Sequence, residues 1–218
     1  MPGVLLMTLA FPGVEKLSSG AVLPLLVIAD SFAVFFYRRS ADWQRIRLLL
    51  PPVVLGLLLG TVVLWAMDHA QFKKSLGLLV LALIGFEELR RWRRWTLLPK
   101  SRLFAWTMGF LCGFATQIGN AAGPVMSVYM ASQGLSKTDF MGTWAVFFFI
   151  VNIMKLPLIA GLGMITPQTL LFDLMLLPGL LIGVLIGRRI FFLVPEKYFV
   201  PSILVLNLLV PIQILWMG

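Results

Sequence analysis

Long apolar runs with almost no charged residue limit what this chain can fold into. Residues 48–67 and 198–216 are two of them, and a helix needs ~20 apolar residues to cross a bilayer. The runs are continuous, whereas the strands of a membrane β-barrel alternate between polar and apolar residues. Hydrophobic residues make up 60% of the chain and its mean hydropathy is +0.96, more than a soluble domain needs. The sequence predicts an all-α, polytopic helical protein of the cell membrane, the inner membrane in a bacterium.

Six runs are read as membrane spans, and the basic residues between them give their direction. Most Lys and Arg fall in residues 38–47, 90–102 and 188–197. These loops lie on one side if residues 103–131 return to the side they came from, so the positive-inside rule makes that side cytoplasmic. The net charge of +9 is therefore a topology signal and not a nucleic-acid surface. The predicted spans are residues 20–37, 48–67, 76–88, 140–162, 169–187 and 198–216.

A polar, glycine-containing break, TQIGNAAGP at residues 116–124, interrupts an apolar stretch. The arms on either side, residues 103–115 and 125–131, are too short to cross a bilayer. They predict a re-entrant hairpin, because irregular backbone at membrane depth is tolerated where it is buried in protein or lines a cavity. We read the break as the floor of a substrate site.

The break has the composition of an anion site. Asn120 and the backbone amides of residues 121–123 are expected to open a short helix, whose N-terminus carries unpaired N–H groups and partial positive charge. Pro124 fits near such a start because it has no amide to satisfy. The predicted substrate-binding residues of this segment are Gln117, Gly119, Asn120, Ala121 and Gly123.

Three polar residues are predicted at membrane depth outside the break. Asn152 and Lys155 lie about one turn apart and share a helix face, so both are assigned to the substrate site. Lys155 either meets the substrate anion or extends toward the membrane surface. Asp30 is assigned three alternatives, namely an ion pair with Lys155, a proton-coupling role, or a packed neutral side chain. Asp173, near the end of its span, is expected to be solvated.

Two halves of the chain repeat one pattern, which divides it into residues 1–100 and 101–218. Since one copy's opening span is followed by four arginines and the other's by an uncharged loop, the copies are predicted to insert in opposite directions, as in secondary transporters. The matched positions are Gly13, Lys16, Gly20 and Asp30 with Gly134, Lys137, Gly142 and Asn152, and Pro51, Gly56 and Gly60 with Pro178, Gly183 and Gly187.

Glycines spaced four apart are expected to allow close helix packing. This interpretation applies to the pairs Gly56/Gly60, Gly109/Gly113 and Gly183/Gly187. For Gly119 and Gly123 we favour a functional turn instead, because Gln117 and Asn120 accompany them.

The inventory of reactive side chains argues against an enzyme. The chain has one cysteine, Cys112, and one histidine, His69, so no metal site, no cofactor and no thiol chemistry is expected. Two other functions share some of these features. An anion channel would use the same polar residues, and a non-transporting scaffold would explain the packing glycines but not Lys155, Asn152 and Asp30 at depth.

The phrases GFLCGFATQIGNAAGPVMSVYMASQGLSKTDFMGTWAVFFFIVNIMKLPLIAG and GAVLPLLVIADSFAVFFYRRSADWQRIRLLLPPVVLGLLLG resemble the TauE/SafE sulfite-exporter family. The resemblance covers nearly the whole chain and implies a membrane carrier for small anions such as sulfite, thiosulfate and organosulfonates. We expect this carrier to work in the export direction, with protons as the coupling ion if Asp30 titrates. By this resemblance, the turn of the hairpin is formed by Gly119, Asn120, Gly123 and Pro124. The polar helix face is formed by Asn152 and Lys155. The resemblance also implies a first hairpin; the mate of Asn120 would precede residue 1, so we expect that hairpin to be incomplete here.

Overall fold

The computed structural model describes residues 20–67, 101–199 and 202–203, and the secondary structure of these residues is entirely helical. The all-α prediction is therefore confirmed for this part of the chain. A short 3-10 turn, Arg38–Ser40, follows the first helix. The helices are α1 (Leu23–Tyr37), α2 (Trp43–Ala66), α3 (Arg102–Gly119), α4 (Ala122–Ser132), α5 (Lys137–Gly161) and α6 (Pro167–Leu193).

Three of these helices, α2, α5 and α6, are long and apolar enough to cross a membrane. Helix α1 has 15 residues, and α3 and α4, with 18 and 11 residues, correspond to the two arms of the predicted hairpin. Both arms extend beyond the predicted bounds, and their re-entry from one membrane face stays a prediction. The predicted span at residues 76–88, and most of the one at 198–216, lie outside the described residues.

Side-chain caps fix where four of the helices begin. Asp42, Ser101, Ser136 and Thr166 each accept a hydrogen bond from the backbone N–H three residues later. Such a cap satisfies one of the amides that the first helical turn leaves unpaired. Helix α4 differs, because it begins without a side-chain cap.

Helices α2 and α3 pack closely because glycine leaves room for the backbones to approach. A Cβ added at Gly56 would collide with the carbonyl oxygen of Phe110, and one added at Gly113 with that of Val53. A Cβ added at Gly109 would lie 3.0 Å from the carbonyl oxygen of Leu49. The packing role predicted for these glycines is confirmed.

The third glycine pair behaves differently. In the described part of the chain, nothing lies within 4 Å of a Cβ added at Gly183 or Gly187. These positions match Gly56 and Gly60 in the predicted repeat, and the packing role predicted for them is not observed among the described residues.

Helices α1 and α5 contact each other in a reciprocal, antiparallel way. A Cβ added at Gly20, just before α1, would lie 2.8 Å from Ile159 near the end of α5. A Cβ added at Gly142, near the start of α5, would lie 2.7 Å from the carbonyl oxygen of Tyr37 at the end of α1. Gly20 and Gly142 are matched positions of the predicted repeat, and such self-complementary contact is typical of two units related by a two-fold axis. Any antiparallel helix pair makes reciprocal contacts of this kind, so the inversion of the two copies stays a prediction.

Lys137, at the start of α5, connects that helix to the end of α6. Its ammonium donates hydrogen bonds to the carbonyl oxygens of Phe191 and Val194, the latter at 2.6 Å, and lies 4.2 Å from the centre of the Phe191 ring. A cation at this place satisfies carbonyls that the last helical turn leaves without amide partners.

Candidate functional site

Helix α3 ends at a sharp break formed by Asn120 and Ala121. Asn120 adopts a left-handed conformation with φ 51° and ψ 33°, which asparagine tolerates better than most residues. Its N–H donates to the Thr116 carbonyl at 3.0 Å, and the Ala121 N–H donates to the Ala115 carbonyl at 3.2 Å. A break was predicted here, but Asn120 makes the turn, whereas Gly119 is the last residue of the helix.

Lys155 places its ammonium against this break. The side chain is 1% exposed, and Nζ donates to the Thr116 carbonyl at 2.7 Å, to Thr116 Oγ1 at 3.2 Å and to Asn120 Oδ1 at 2.5 Å. The structure thus brings together two predicted site residues that are 35 positions apart. Lys155 points into the protein, not along α5 toward the membrane surface.

The start of α4 lies at the same break. Ala121 and Ala122 are each 1% exposed, and no side chain caps the helix. The predicted donors at residues 121–123 are partly corrected, because the Ala121 amide is already bonded to the end of α3. Ala122 and Gly123 supply the remaining amides of the first turn, and Pro124 has none.

Gln117 faces α2. It is fully buried, and its Nε2 donates to Thr61 Oγ1 at 2.9 Å, while Thr61 in turn donates to the Leu57 carbonyl at 2.8 Å. Among the described residues, no hydrogen-bond donor reaches Gln117 Oε1. Gln117 therefore attaches the break to α2, and it keeps one buried acceptor. The sequence reasoning missed Thr61 because nothing in its surroundings distinguishes it from a packing residue.

Asn152 and Asp30 form a second polar pair, one turn along α5 from Lys155. Asn152 Nδ2 donates to Asp30 Oδ2 at 2.7 Å, so the matched residues of the predicted repeat are in direct contact. Asn152 Oδ1 is buried and has no partner in the part of the chain that the structure describes. Within the same residues, Asp30 forms its contact with Asn152 and not an ion pair with Lys155.

Asp173 and Cys112 are two further buried side chains. Asp173 is 5% exposed and neither carboxylate oxygen has a hydrogen-bond partner among the described residues, so the prediction that it is solvated is wrong. Cys112 is a buried free thiol. The described residues contain no group of three His, Cys, Asp or Glu side chains that could hold a metal ion.

The arrangement is suited to binding an anion. Asn152 Nδ2 is already bonded to Asp30, but the Lys155 ammonium and the first-turn amides of Ala122 and Gly123 lie together at the α3–α4 break. Donors of this kind, held at a helix start, attract negative charge.

Comparison with known proteins agrees with this chemistry. The family model described as sulfite exporter TauE/SafE matches residues 1–214. Searches among curated proteins and among solved structures find no match for this chain. Because the family model covers nearly all of the 218 residues, the chain belongs to the sulfite exporter TauE/SafE family.

Proposed function

We propose that this protein is a secondary transporter that exports small sulfur-containing anions across the cell membrane, with sulfite, thiosulfate or an organosulfonate as substrate. The observation that carries the proposal is the fully buried Lys155 ammonium at the α3–α4 break. The family match supports the same substrate class, because the family is one of membrane exporters of sulfite.

The partners of Lys155 explain why an anion would bind. All three hydrogen bonds of its ammonium go to neutral oxygens of Thr116 and Asn120. The Asp30 carboxylate is within electrostatic reach but forms no direct ion pair with it, so its positive charge is only partly compensated. A charge buried in this way is costly unless an opposite charge joins it. A substrate anion would supply that charge, replace Asn120 Oδ1 or Thr116 Oγ1 on the ammonium, and accept from the amides of Ala122 and Gly123.

The transport cycle that we propose is a rocking of the two repeats about this site. The reciprocal contact of α1 with α5 is compatible with two oppositely inserted units, one per half of the chain. Such units would expose a central site to one side of the membrane and then to the other. The re-entrant hairpin would carry the floor of the site through this motion.

Efflux from proteoliposomes distinguishes a carrier from an anion channel. Liposomes that contain the purified protein and radiolabelled sulfite are expected to lose label in a saturable manner. Unlabelled sulfite outside should accelerate the loss, since a carrier returns faster when loaded. A linear dependence on concentration without acceleration would identify a channel, and no protein-dependent loss would support the scaffold alternative.

Asp30 is our candidate for proton coupling. In the Asp30→Asn variant no proton can be taken up at this position, so we expect the dependence of sulfite efflux on an imposed pH gradient to disappear while gradient-independent efflux remains. The assay is efflux from proteoliposomes with equal and unequal internal pH. Glu196→Gln, at an exposed carboxylate, is the control and should retain the gradient effect. Retention of that effect in Asp30→Asn would contradict coupling at Asp30 and leave a structural role beside Asn152.

A further inference from the structure

A cavity lies at the opposite end of the hairpin from Lys155. It has a volume of about 210 Å³ and is lined by side chains from α2, from the start of α3 and from the end of α4, among them Gln44, Arg45, Tyr129 and Gln133. With ~1.5 Å per residue along α4, it is roughly 15 Å from the break. No role assigned so far uses these residues.

Arg45 is the charged group of the cavity, and only part of its guanidinium is engaged. Its Nη1 contacts the Asp42 carboxylate, and its Nε donates to Gln133 Oε1 at 3.3 Å. These contacts hold the planar group in one orientation across α2 and the end of α4. Among the described residues, no acceptor is found for Nη2, which carries two of the five N–H donors of an arginine. Arginine in such a fixed pose suits the geometry of an oxyanion.

Tyr129 supplies a second donor. The residue is 2% exposed, and its ring packs against Phe104 with 6.1 Å between the ring centres. In the described part of the chain its hydroxyl has no hydrogen-bond partner, yet the oxygen is not among the fully enclosed polar atoms. The small accessible surface of Tyr129 is therefore at its hydroxyl, on the wall of the cavity. A buried tyrosine hydroxyl normally has a partner, so this one is available to a ligand.

Size and charge define the class of ligand. At ~30 Å³ per water, the cavity of about 210 Å³ has room for a small oxyanion together with several waters. No carboxylate is among the residues that line the cavity, and the Asp42 carboxylate beside it is paired with Arg45, so the donors that remain favour negative charge. Arg102 follows the lining residue Ser101 directly in sequence, which adds positive potential on this side.

We propose that this cavity is a second anion site, in which Arg45 and Tyr129 bind a small oxyanion at the end of the hairpin that is distant from Lys155. The site lies in the basic segment that the charge pattern assigns to the cytoplasm, so it would receive the anion before the central site does. The second site depends on the proposed function in one respect, because we take the bound anion to be one that the protein transports.

Binding is measured by protection of an introduced thiol, independently of transport. Gln44 lines the cavity and is exposed, so Gln44→Cys can be labelled with a neutral fluorescent maleimide in the purified protein. Inorganic sulfate is the probe, because sulfite itself adds to maleimides, and sodium chloride of equal ionic strength is the control. The protein without Gln44→Cys reports any labelling of Cys112. Sulfate is expected to slow labelling severalfold.

The variants that remove the donors should remove the protection. Arg45→Gln, added to Gln44→Cys, is expected to abolish the effect of sulfate. Tyr129→Phe keeps the ring packing and should raise the half-protecting sulfate concentration about tenfold or more, through the loss of one hydrogen bond to an anion. Elution as a single species and an unchanged melting temperature show that each variant is folded. No protection by sulfate, or equal protection in Arg45→Gln, would overturn the site.

Lys155→Met separates this inference from the proposed function. The cavity is distant from Lys155, so protection of Gln44→Cys by sulfate should persist in this variant. If Lys155→Met removes the protection, the labelling reports occupancy of the central site and the second site is refuted. If sulfate protects but no variant or parent protein transports sulfite, the proposed function fails and the second site stands.

Discussion

Replacement of Lys155 by methionine is expected to lower protein-dependent efflux of sulfite about 10- to 100-fold. The substitution removes the one ammonium at the α3–α4 break and leaves neutral groups to face the anion. A hydrogen bond to a charged group is worth ~1.5–3 kcal/mol, so the rate should fall about 10- to 100-fold from this contact alone. The measurement is the initial rate of label loss from proteoliposomes with equal protein content.

The same substitution should leave the fold intact, which makes the result interpretable. A lysine at membrane depth costs ~2.5–3.5 kcal/mol on insertion scales, and methionine of similar length removes that cost. This gain offsets the loss of the hydrogen bonds to Thr116 and Asn120. Lys197→Met, at an exposed lysine, is the matched control and should transport normally. Normal efflux in Lys155→Met at equal expression would count against the central site.

Gly56→Ala is expected to separate α2 from α3 and destabilise the protein. The added Cβ collides with the backbone carbonyl of Phe110, which cannot move without displacing the helix. Overpacking of this kind costs about 1–3 kcal/mol, and each kcal/mol lowers Tm by roughly 2–4 °C in a chain of this size. The measurement is thermal unfolding of the purified protein in detergent.

Gly183→Ala provides the matched control for this prediction. It is the same change at the matched position of the other copy, where no described residue lies within 4 Å of the added Cβ. Alanine is favoured over glycine inside a helix by ~1 kcal/mol, so Gly183→Ala should be neutral or stabilising. Equal destabilisation by both substitutions would show that backbone contact at Gly56 is not the cause.

The sequence predicted the break, the depth of Lys155 and the correspondence of Asp30 with Asn152. Each of these has a local signal. The break is a polar interruption between short apolar arms, Lys155 is a charge inside an apolar run, and the Asp30–Asn152 correspondence follows from the matched glycines around it. The contact between Asp30 and Asn152 at 2.7 Å is the outcome that two matched residues near an axis would produce.

Most features that the sequence did not predict are contacts between residues that are distant along the chain. Asp173 near a helix end is normally solvated, and its burial depends on neighbours that its own surroundings do not reveal. The turn at Asn120 could not be distinguished from one at Gly119, because both residue types adopt a left-handed conformation. Thr61 and Thr116 are short, common side chains, and only the folded chain shows that they meet Gln117 and Lys155.

The contact of Lys137 with the end of α6 has a mechanical consequence. One end of the α5–α6 pair is held by the short connection before Pro167, and the other by the hydrogen bonds to Phe191 and Val194 and the ring contact with Phe191. The two helices are therefore connected to each other at both ends. Any tilt of α6 during a conformational cycle either takes α5 and its Lys155 with it, or first breaks the tie at Lys137.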